Sequence, residues 1–370
     1  MQKYYQKDGE NNVNIMLLYG GKSCERDISI ITACLARGHF AHRLYGVYFD
    51  KNNLPRLVGN DVSPREHNTA KGHKVTFCFG EGCIAFRRGL LCRKVHIDVA
   101  VNCCHGLCGE DGCVAALCRL LGVPLVGSDI SASAIAIDKV LTKYVLRTLR
   151  LPVLGYTVVT KSAPHVGEIR LPTVVKPSRL GSSIGVKMCR TETELSEALQ
   201  AAFCYDDVVL CEDALTDFAE YNCSALRTSG NVVTSRVDSP TTSNDILTFE
   251  DKYIVGGKSD GLSNVADISD VLSARIRATT ARIYDLLGFG GVIRVDYLFD
   301  KVRKKLYVNE INSVPGSLAY PLWKRDYTMT EFGEMLVKQA IDDYAVQTSL
   351  VTSFDSDVFS SKAGGKVKGF

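Results

Sequence analysis

Two apolar stretches toward the C-terminal end, 291–299 and 305–310, predict adjacent strands, and polar residues interrupt them at alternate positions. Arg294 and Asp296 stand in the first stretch; Glu310 ends the second, with Asn312 two residues beyond. Successive residues of a strand point to opposite faces, so Arg294 and Asp296 share one face and Glu310 and Asn312 share one face of the next strand. Two carboxylates, an amide and a guanidinium then converge on one sheet surface. Charges taken out of water need partners, so this surface suits a polar site better than a hydrophobic core. Oxygen-only donors of this kind suit Mg²⁺, which binds through one or two carboxylates together with substrate phosphates. A surface salt-bridge cluster is the plainer alternative.

A chain of 370 residues has room for two or three compact units at roughly 150 residues each. Hydrophobic residues at 46% and charged residues at 23% exclude a disordered, collagenous or coiled-coil chain. The net charge of +3 argues against a nucleic-acid partner and against a polybasic membrane anchor. The N-terminal residues are polar and unlike a signal peptide, and no run approaches the roughly 18 apolar residues of a membrane span. A cytoplasmic, reducing compartment follows as the expectation, with the 14 cysteines as buried or incidental thiols. Cys103, Cys108, Cys113 and Cys118 recur every five residues but lack the Cys-x₂-Cys pairing of zinc sites.

Residues 1–12 and 349–370 read as disordered tails. The apolar run 13–19 stops at Gly20-Gly21, a helix is expected over 27–38 and a second strand over 44–49. Further strands at 95–102 and 123–127 flank a helix at 112–121, which gives a parallel, Rossmann-like α/β unit closing near residue 130. One long helix is expected over 131–149, then strands at 172–176 and 208–212 around a helix at 193–203. Strands at 221–227 and 232–237, a helix at 271–287 and the two strands of the opening argument complete an α+β arrangement.

Two loops add chemistry. His105-Gly106-Leu107-Cys108-Gly109-Glu110-Asp111-Gly112 ends a strand with three glycines that permit close backbone approach, while Glu110-Asp111 could equally cap the following helix. Lys176-Pro177-Ser178-Arg179-Leu180-Gly181-Ser182-Ser183-Ile184-Gly185 places one cation beside amides and hydroxyls suited to phosphate oxygens, although it is no Walker A sequence and a flexible hairpin is the alternative. A phosphate cradle together with a magnesium cluster points to an ATP-dependent enzyme.

With these motifs in this order, the chain resembles the D-alanine–D-alanine ligases of the ATP-grasp superfamily over roughly residues 13–325. The stretch from His105 to Ala116 is similar to that family's first signature, and Arg294-Val295-Asp296 through Asn309-Glu310-Ile311-Asn312-Ser313-Val314-Pro315-Gly316 to its second. Gly20-Gly21-Lys22-Ser23-Cys24-Glu25 resembles the N-terminal loop. The resemblance implies an ATP-grasp fold preceded by the N-terminal α/β domain: 13–130 as substrate domain, 131–218 as nucleotide lid and 219–348 as catalytic domain. It implies ligation of two D-alanines through an acylphosphate for peptidoglycan precursor synthesis, with ATP and two Mg²⁺ ions (Mn²⁺ as a substitute), amino acids as small-molecule partners, and a homodimer.

It also implies roles for residues. Asp296, Glu310 and Asn312 would hold the metal ions; Lys139, Lys176 and Lys252 would meet ATP phosphates; Glu212 and Glu220 would face adenine and ribose. Glu25 would pair with the first substrate's ammonium, helped by Ser182 and Tyr253, with His105 and Ser183 nearby, and Arg294 would stabilise the oxyanion. Helix-surface, helix-cap and loop-aromatic readings stand beside those for Lys139, Glu25 and Tyr253. After Pro315-Gly316 the chain departs from the family: Ser317-Leu318-Ala319-Tyr320-Pro321 is about three residues shorter, and the hydroxyl for the second substrate's carboxylate is lost or moved to Ser317. A ligase with another second substrate (D-serine, a hydroxy acid, another amine) and a non-catalytic nucleotide-binding relative are the alternatives. Tyr253 resembles dipeptide-forming members more than those accepting D-lactate.

Overall fold

The computed structural model describes residues 12–67, 72–163, 168–240 and 265–354. Lys252 and Tyr253, most of both expected tails and residues 241–264 lie outside the described residues.

The apolar run at the start forms β1 (Asn14–Gly20), all but its first residue buried, followed by α1 (Arg26–Ala36) and β2 (Arg43–Phe49). The chain continues through β3 (Pro55–Val58), β4 (His73–Cys78), β5 (Cys83–Arg88), β6 (Leu91–His96), β7 (Val99–Asn102), α2 (Cys113–Leu121) and β8 (Leu125–Val126). These strands make one eight-stranded sheet in the order β6-β5-β4-β3-β2-β1-β7-β8. The expected parallel unit is there, because β1 pairs parallel with β2 and β7, and β7 with β8. What the sequence reading missed is the antiparallel extension from β3 to β6. Its outer strand β6 is mostly exposed, so it lacks the apolar alternation that announces a half-buried strand.

The single helix expected over 131–149 is two: α3 (Ile130–Ile137) and α4 (Lys139–Thr148). Asp138 breaks it with an extended backbone, φ −89° and ψ 104°, and its carboxylate accepts from the Val140 and Leu141 amides. An N-cap thus sits in the middle of the apolar period. Next come β9 (Tyr156–Thr160), β10 (Thr173–Pro177), β11 (Lys187–Cys189), α5 (Glu192–Ala202) and β12 (Val208–Asp213). They build an antiparallel sheet in the order β11-β10-β12-β9. The chain closes with β13 (Phe218–Thr228), β14 (Asn231–Thr234), α6 (Asp270–Leu286), β15 (Val292–Asp300), β16 (Lys305–Asn312) and α7 (Met329–Thr348). Their sheet, β14-β13-β15-β16, is also antiparallel, as the α+β reading expects.

The 20-residue α7 was absent from the sequence reading; it starts at a Thr328–Glu331 capping box and lays Phe332, Leu336, Val337 and Ala340 into a core shared with β1, α1 and β7. The central sheet keeps a separate small core around Val159, Val175, Leu195 and Val209. Among the described residues no helix is long and apolar enough to cross a membrane. All 14 cysteines are free, but only six are buried, which corrects the expectation of a generally buried set.

Candidate active site

The loops and strand faces of the three sheets enclose one cavity of about 470 Å³. Fourteen of the sixteen residues singled out in the sequence line it, and the other two, Lys252 and Tyr253, fall outside the described residues. Residues separated by up to 292 positions, Glu25 and Ser317, therefore line the same cavity, which the surface-cluster and hairpin alternatives do not require.

Glu25 stands at the N-cap position of α1 but makes no side-chain cap bond. Its carboxylate leaves the helix and accepts from the Gly181 amide at 3.2 Å and the Ser182 hydroxyl at 2.5 Å. Only 3% of Glu25 is exposed. The small-residue loop can meet it because Ser182 and Ser183 adopt left-handed φ of 53° and 58°, and a Cβ at Gly181 would stand 2.8 Å from the Glu25 carboxylate. His105, buried, places Nε2 2.9 Å from the Thr32 hydroxyl of α1. Burial, with the positive Arg294 beside it, pushes the imidazole down to about 4, so it is neutral at neutral pH. The Ser317 amide donates to the same Thr32 hydroxyl at 3.4 Å, so Thr32 joins the His105 loop to the shortened segment. That segment is a tight turn in which Ser317, Leu318 and Ala319 all have left-handed φ, 53°, 52° and 54°.

Lys139 is not solvated on its helix: its Nζ donates to the Leu180 carbonyl at 2.6 Å. Asp138 draws that end of α4 to the loop by accepting from the Ser178 hydroxyl at 2.8 Å. Glu212, on β12, pairs with both Lys143 and Lys176. Burial alone would raise this carboxylate, but the two ammonium groups hold it down to about 2. Burial opposes the charge on Lys176 and Glu212 more than compensates, so Lys176 is raised; for the wholly enclosed Lys143 burial wins and the amine is lowered. Lys176 also donates to Asn309 Oδ1 at 3.2 Å. Glu220 lies on the cavity-lining face of β13, which it shares with Phe218 and Asn222.

The paired strands behave as the alternation demands. Asp296 lies opposite Glu310 and Arg294 opposite Asn312. Arg294 grips Asp296 with two bonds, Nε to Oδ1 at 2.6 Å and Nη2 to Oδ2 at 2.8 Å, and Asn312 Nδ2 adds a third at 3.1 Å. That donor set, two carboxylates and an amide oxygen on one cavity wall, fits Mg²⁺ and offers no sulfur or nitrogen ligand.

Five residues of the site escaped the sequence reading in part or whole. Asn309 should have faced away from Glu310, but the register shifts after Asp296, which leaves Asn309 as an extra residue whose side chain also enters the cavity. Nothing in the alternation signals such a bulge. Glu110, readable as a helix cap, instead accepts from the Gly106 amide at 2.9 Å and the Val314 amide at 3.3 Å. Burial and the nearby Glu25 carboxylate push it up to about 8. Thr32, Asp138 and Lys143 carried no motif; only a lysine four residues after Lys139, on the same helical face, hinted at the last.

Comparison with known proteins gives the site its setting. A family model described as D-ala D-ala ligase N-terminus matches residues 14–128, and one described as D-ala D-ala ligase C-terminus matches 145–339. A D-alanine–D-alanine ligase of Thermosipho africanus is 31% identical over 95% of this chain and 99% of its own length. One from Nitratiruptor sp. is 32% identical over 82% of this chain and 87% of its own length. Among solved structures, the D-alanine–D-alanine ligase of Coxiella burnetii superposes with a TM-score of 0.76 at 25% identity, covering 91% of this chain and 96% of that one. The VanG D-Ala:D-Ser ligase of Enterococcus faecalis shares the fold, with a TM-score of 0.71 at 21% identity over 90% of this chain and 99% of that one. From its first strand to its last helix, the chain belongs to the D-alanine–D-alanine ligase family.

Proposed function

We propose that the protein is an ATP-dependent ligase that joins two D-alanines, supplying the dipeptide for peptidoglycan precursors. The observation that carries this reading is the bond between Glu25 and the Gly181-Ser182 loop: a buried acid suited to a substrate ammonium is held against the loop suited to phosphates. A substrate carboxylate held at that junction lies where a γ-phosphate arrives.

In the first step a carboxylate oxygen of one D-alanine attacks the γ-phosphorus of ATP and ADP leaves. The amine of the second D-alanine then attacks the acylphosphate carbon, loses a proton, and expels inorganic phosphate. Lys139 and Lys176 bind and orient the phosphates, with Lys176 kept charged by Glu212. Lys252 and Tyr253 join them from residues 241–264. Asp296, Glu310 and Asn312 would hold Mg²⁺, which when bound would neutralise phosphate charge. Arg294 meets the oxyanion of the tetrahedral intermediate, oriented by its two bonds to Asp296. His105 and Ser183 flank the first substrate; Gly316 and Ser317 receive the second. Glu212 faces the adenine and Glu220 the ribose. Three units do this work, 13–130, 131–218 and 219–348, in a cytoplasmic homodimer.

The test is phosphate release from ATP and Mg²⁺ with D- and L-amino acids, alone and in pairs. D-alanine alone should stimulate release with dipeptide formed in equal amount; no stimulation by D-alanine in any pairing removes the proposal. Because the family's usual hydroxyl is lost or moved to Ser317, the second substrate has its own reading: stimulation only when D-serine, a hydroxy acid or another amine accompanies D-alanine would reassign it. Arg294→Ala should lower kcat by about 10²–10³-fold while ATP still binds.

A further inference from the structure

The loop between β7 and α2 carries two chemistries. His105 and Glu110 line the large cavity, whereas Cys108 and Cys113 line a second cavity of about 170 Å³, together with Gly20, Gly21 and Asn53. The two cavities share no lining residue. At the mouth of the smaller one, Cys108 Sγ, a carboxylate oxygen of Asp111 and Cys113 Sγ all lie within 4.8 Å of one another. Even spacing along the chain concealed this, because it pairs Cys113 with Cys118 on α2, where Cys118 is buried and turned to the core.

The grouping is built by the backbone. The Cys108 amide donates to Asp111 Oδ2 at 2.8 Å and the Cys113 amide to Asp111 Oδ1 at 3.0 Å, so the carboxylate is held between the two thiol-bearing residues. Cys108 adopts φ 65°, a left-handed conformation that side chains rarely take, and this turn brings it back toward the start of α2. Asn53 Nδ2 approaches Cys108 Sγ at 3.9 Å from the opposite wall. Both thiols are free and exposed, and so reachable from solvent.

We propose that Cys108, Asp111 and Cys113 form a binding site for a soft divalent cation, Zn²⁺, separate from the oxygen-only Mg²⁺ set. Two thiolates and one carboxylate are three of the four ligands that tetrahedral Zn²⁺ takes, with water in the fourth position. Sulfur excludes Mg²⁺ from this site as firmly as its absence favours Mg²⁺ in the cleft. On binding, each thiol gives its proton to the medium as its S–Zn bond forms, with no change in oxidation state. The bound ion ties the tip of the His105–Gly112 loop to the first turn of α2.

The test uses the full-length chain, kept reduced with a phosphine that does not bind zinc, and the metal alone as probe. Titration of Zn²⁺ against a chromophoric chelator should give one equivalent more for the parent chain than for the Cys108→Ser/Cys113→Ser double variant. Asp111→Asn should weaken that equivalent by at least about 10-fold. Co²⁺ in place of Zn²⁺ should produce a thiolate-to-metal charge-transfer band that the double variant lacks. Loss of two other exposed thiols, in Cys92→Ser/Cys204→Ser, should leave both readings unchanged. Equal stoichiometry and affinity in the parent and the Cys108/Cys113 variant would overturn the proposal, as would a Co²⁺ complex with no thiolate band. Matching melting curves of the metal-free proteins show that the comparison is between folded chains.

Discussion

Glu25 occupies a helix-cap position and caps nothing, because a site on another sheet takes its carboxylate. Charged hydrogen bonds contribute about 1.5–3 kcal/mol, so Glu25→Gln should raise the KM for the first D-alanine by about 10–100-fold and leave the KM for ATP within about threefold. Steady-state kinetics at saturating ATP check this. His105 belongs to the same wall and titrates out of its usual range, down to about 4 from 6.5. Its folded pKa is depressed, so its neutral burial stabilises fully above pH 6.5, and that contribution falls away as the pH drops through about 4. The amount at stake is on the order of 3 kcal/mol. Denaturant midpoints measured from pH 7 to pH 4 should fall less steeply for His105→Gln than for the parent chain; parallel curves would refute the assignment.

At the scale of elements, two local breaks place the lysines and the acids. Asp138 ends α3 and starts α4, which turns Lys139 to the Leu180 carbonyl instead of the helix surface. Asp138→Ala should cost about 1–2 kcal/mol in thermal stability, the usual worth of an N-cap, and raise the KM for ATP. The Lys143–Glu212–Lys176 cluster joins α4 to β12 and β10. Removing the central acid leaves two buried ammonium groups facing one another, so Glu212→Gln should cost about 3–5 kcal/mol. Lys143→Met should cost less, since Glu212 keeps Lys176; melting temperatures of the two variants test the order. The bulge at Asn309 shows why alternation alone misreads a strand: one extra residue turned a side chain expected outside into the cavity.

Across the whole molecule, the first and last sheets are not separate bodies on a string. Ile15 and Val101 of the first sheet share a core with Leu226 and Val292 of the last, and with Trp323 and Phe332 between them. Trp323, 2% exposed, also donates Nε1–H to the Ser224 hydroxyl of β13 at 2.9 Å. Trp323→Ala should therefore cost about 3–5 kcal/mol, read as a lower denaturant midpoint by far-ultraviolet circular dichroism. The central sheet, with its own core, carries the Gly181–Gly185 loop and is tied to its neighbours by polar bonds such as Lys139 to Leu180 and Glu25 to Ser182. That division suits a lid over a nucleotide.

The sequence by itself determined the chemistry. Residue types at period two on two strands demanded a polar, oxygen-rich face, and glycines and serines after a strand demanded a loop that approaches anions; these are local constraints, legible wherever spacing maps directly to direction. It also determined the parallel start of the first sheet, because buried strands are written as unbroken apolar runs. Only the tertiary structure decided where each side chain goes and what it meets. Whether Glu25 caps its helix or meets the Gly181–Ser182 loop, whether Lys139 stays on the helix surface or reaches the Leu180 carbonyl, and whether Glu110 caps α2 or is buried against the Val314 amide depend on what a distant segment brings into hydrogen-bond range, and no local pattern encodes that. The edge strands from β3 to β6, the break at Asp138 and the bulge at Asn309 were hidden for the same reason: each is set by partners remote in sequence, whose contact energies exceed the small local preferences that a single chain displays.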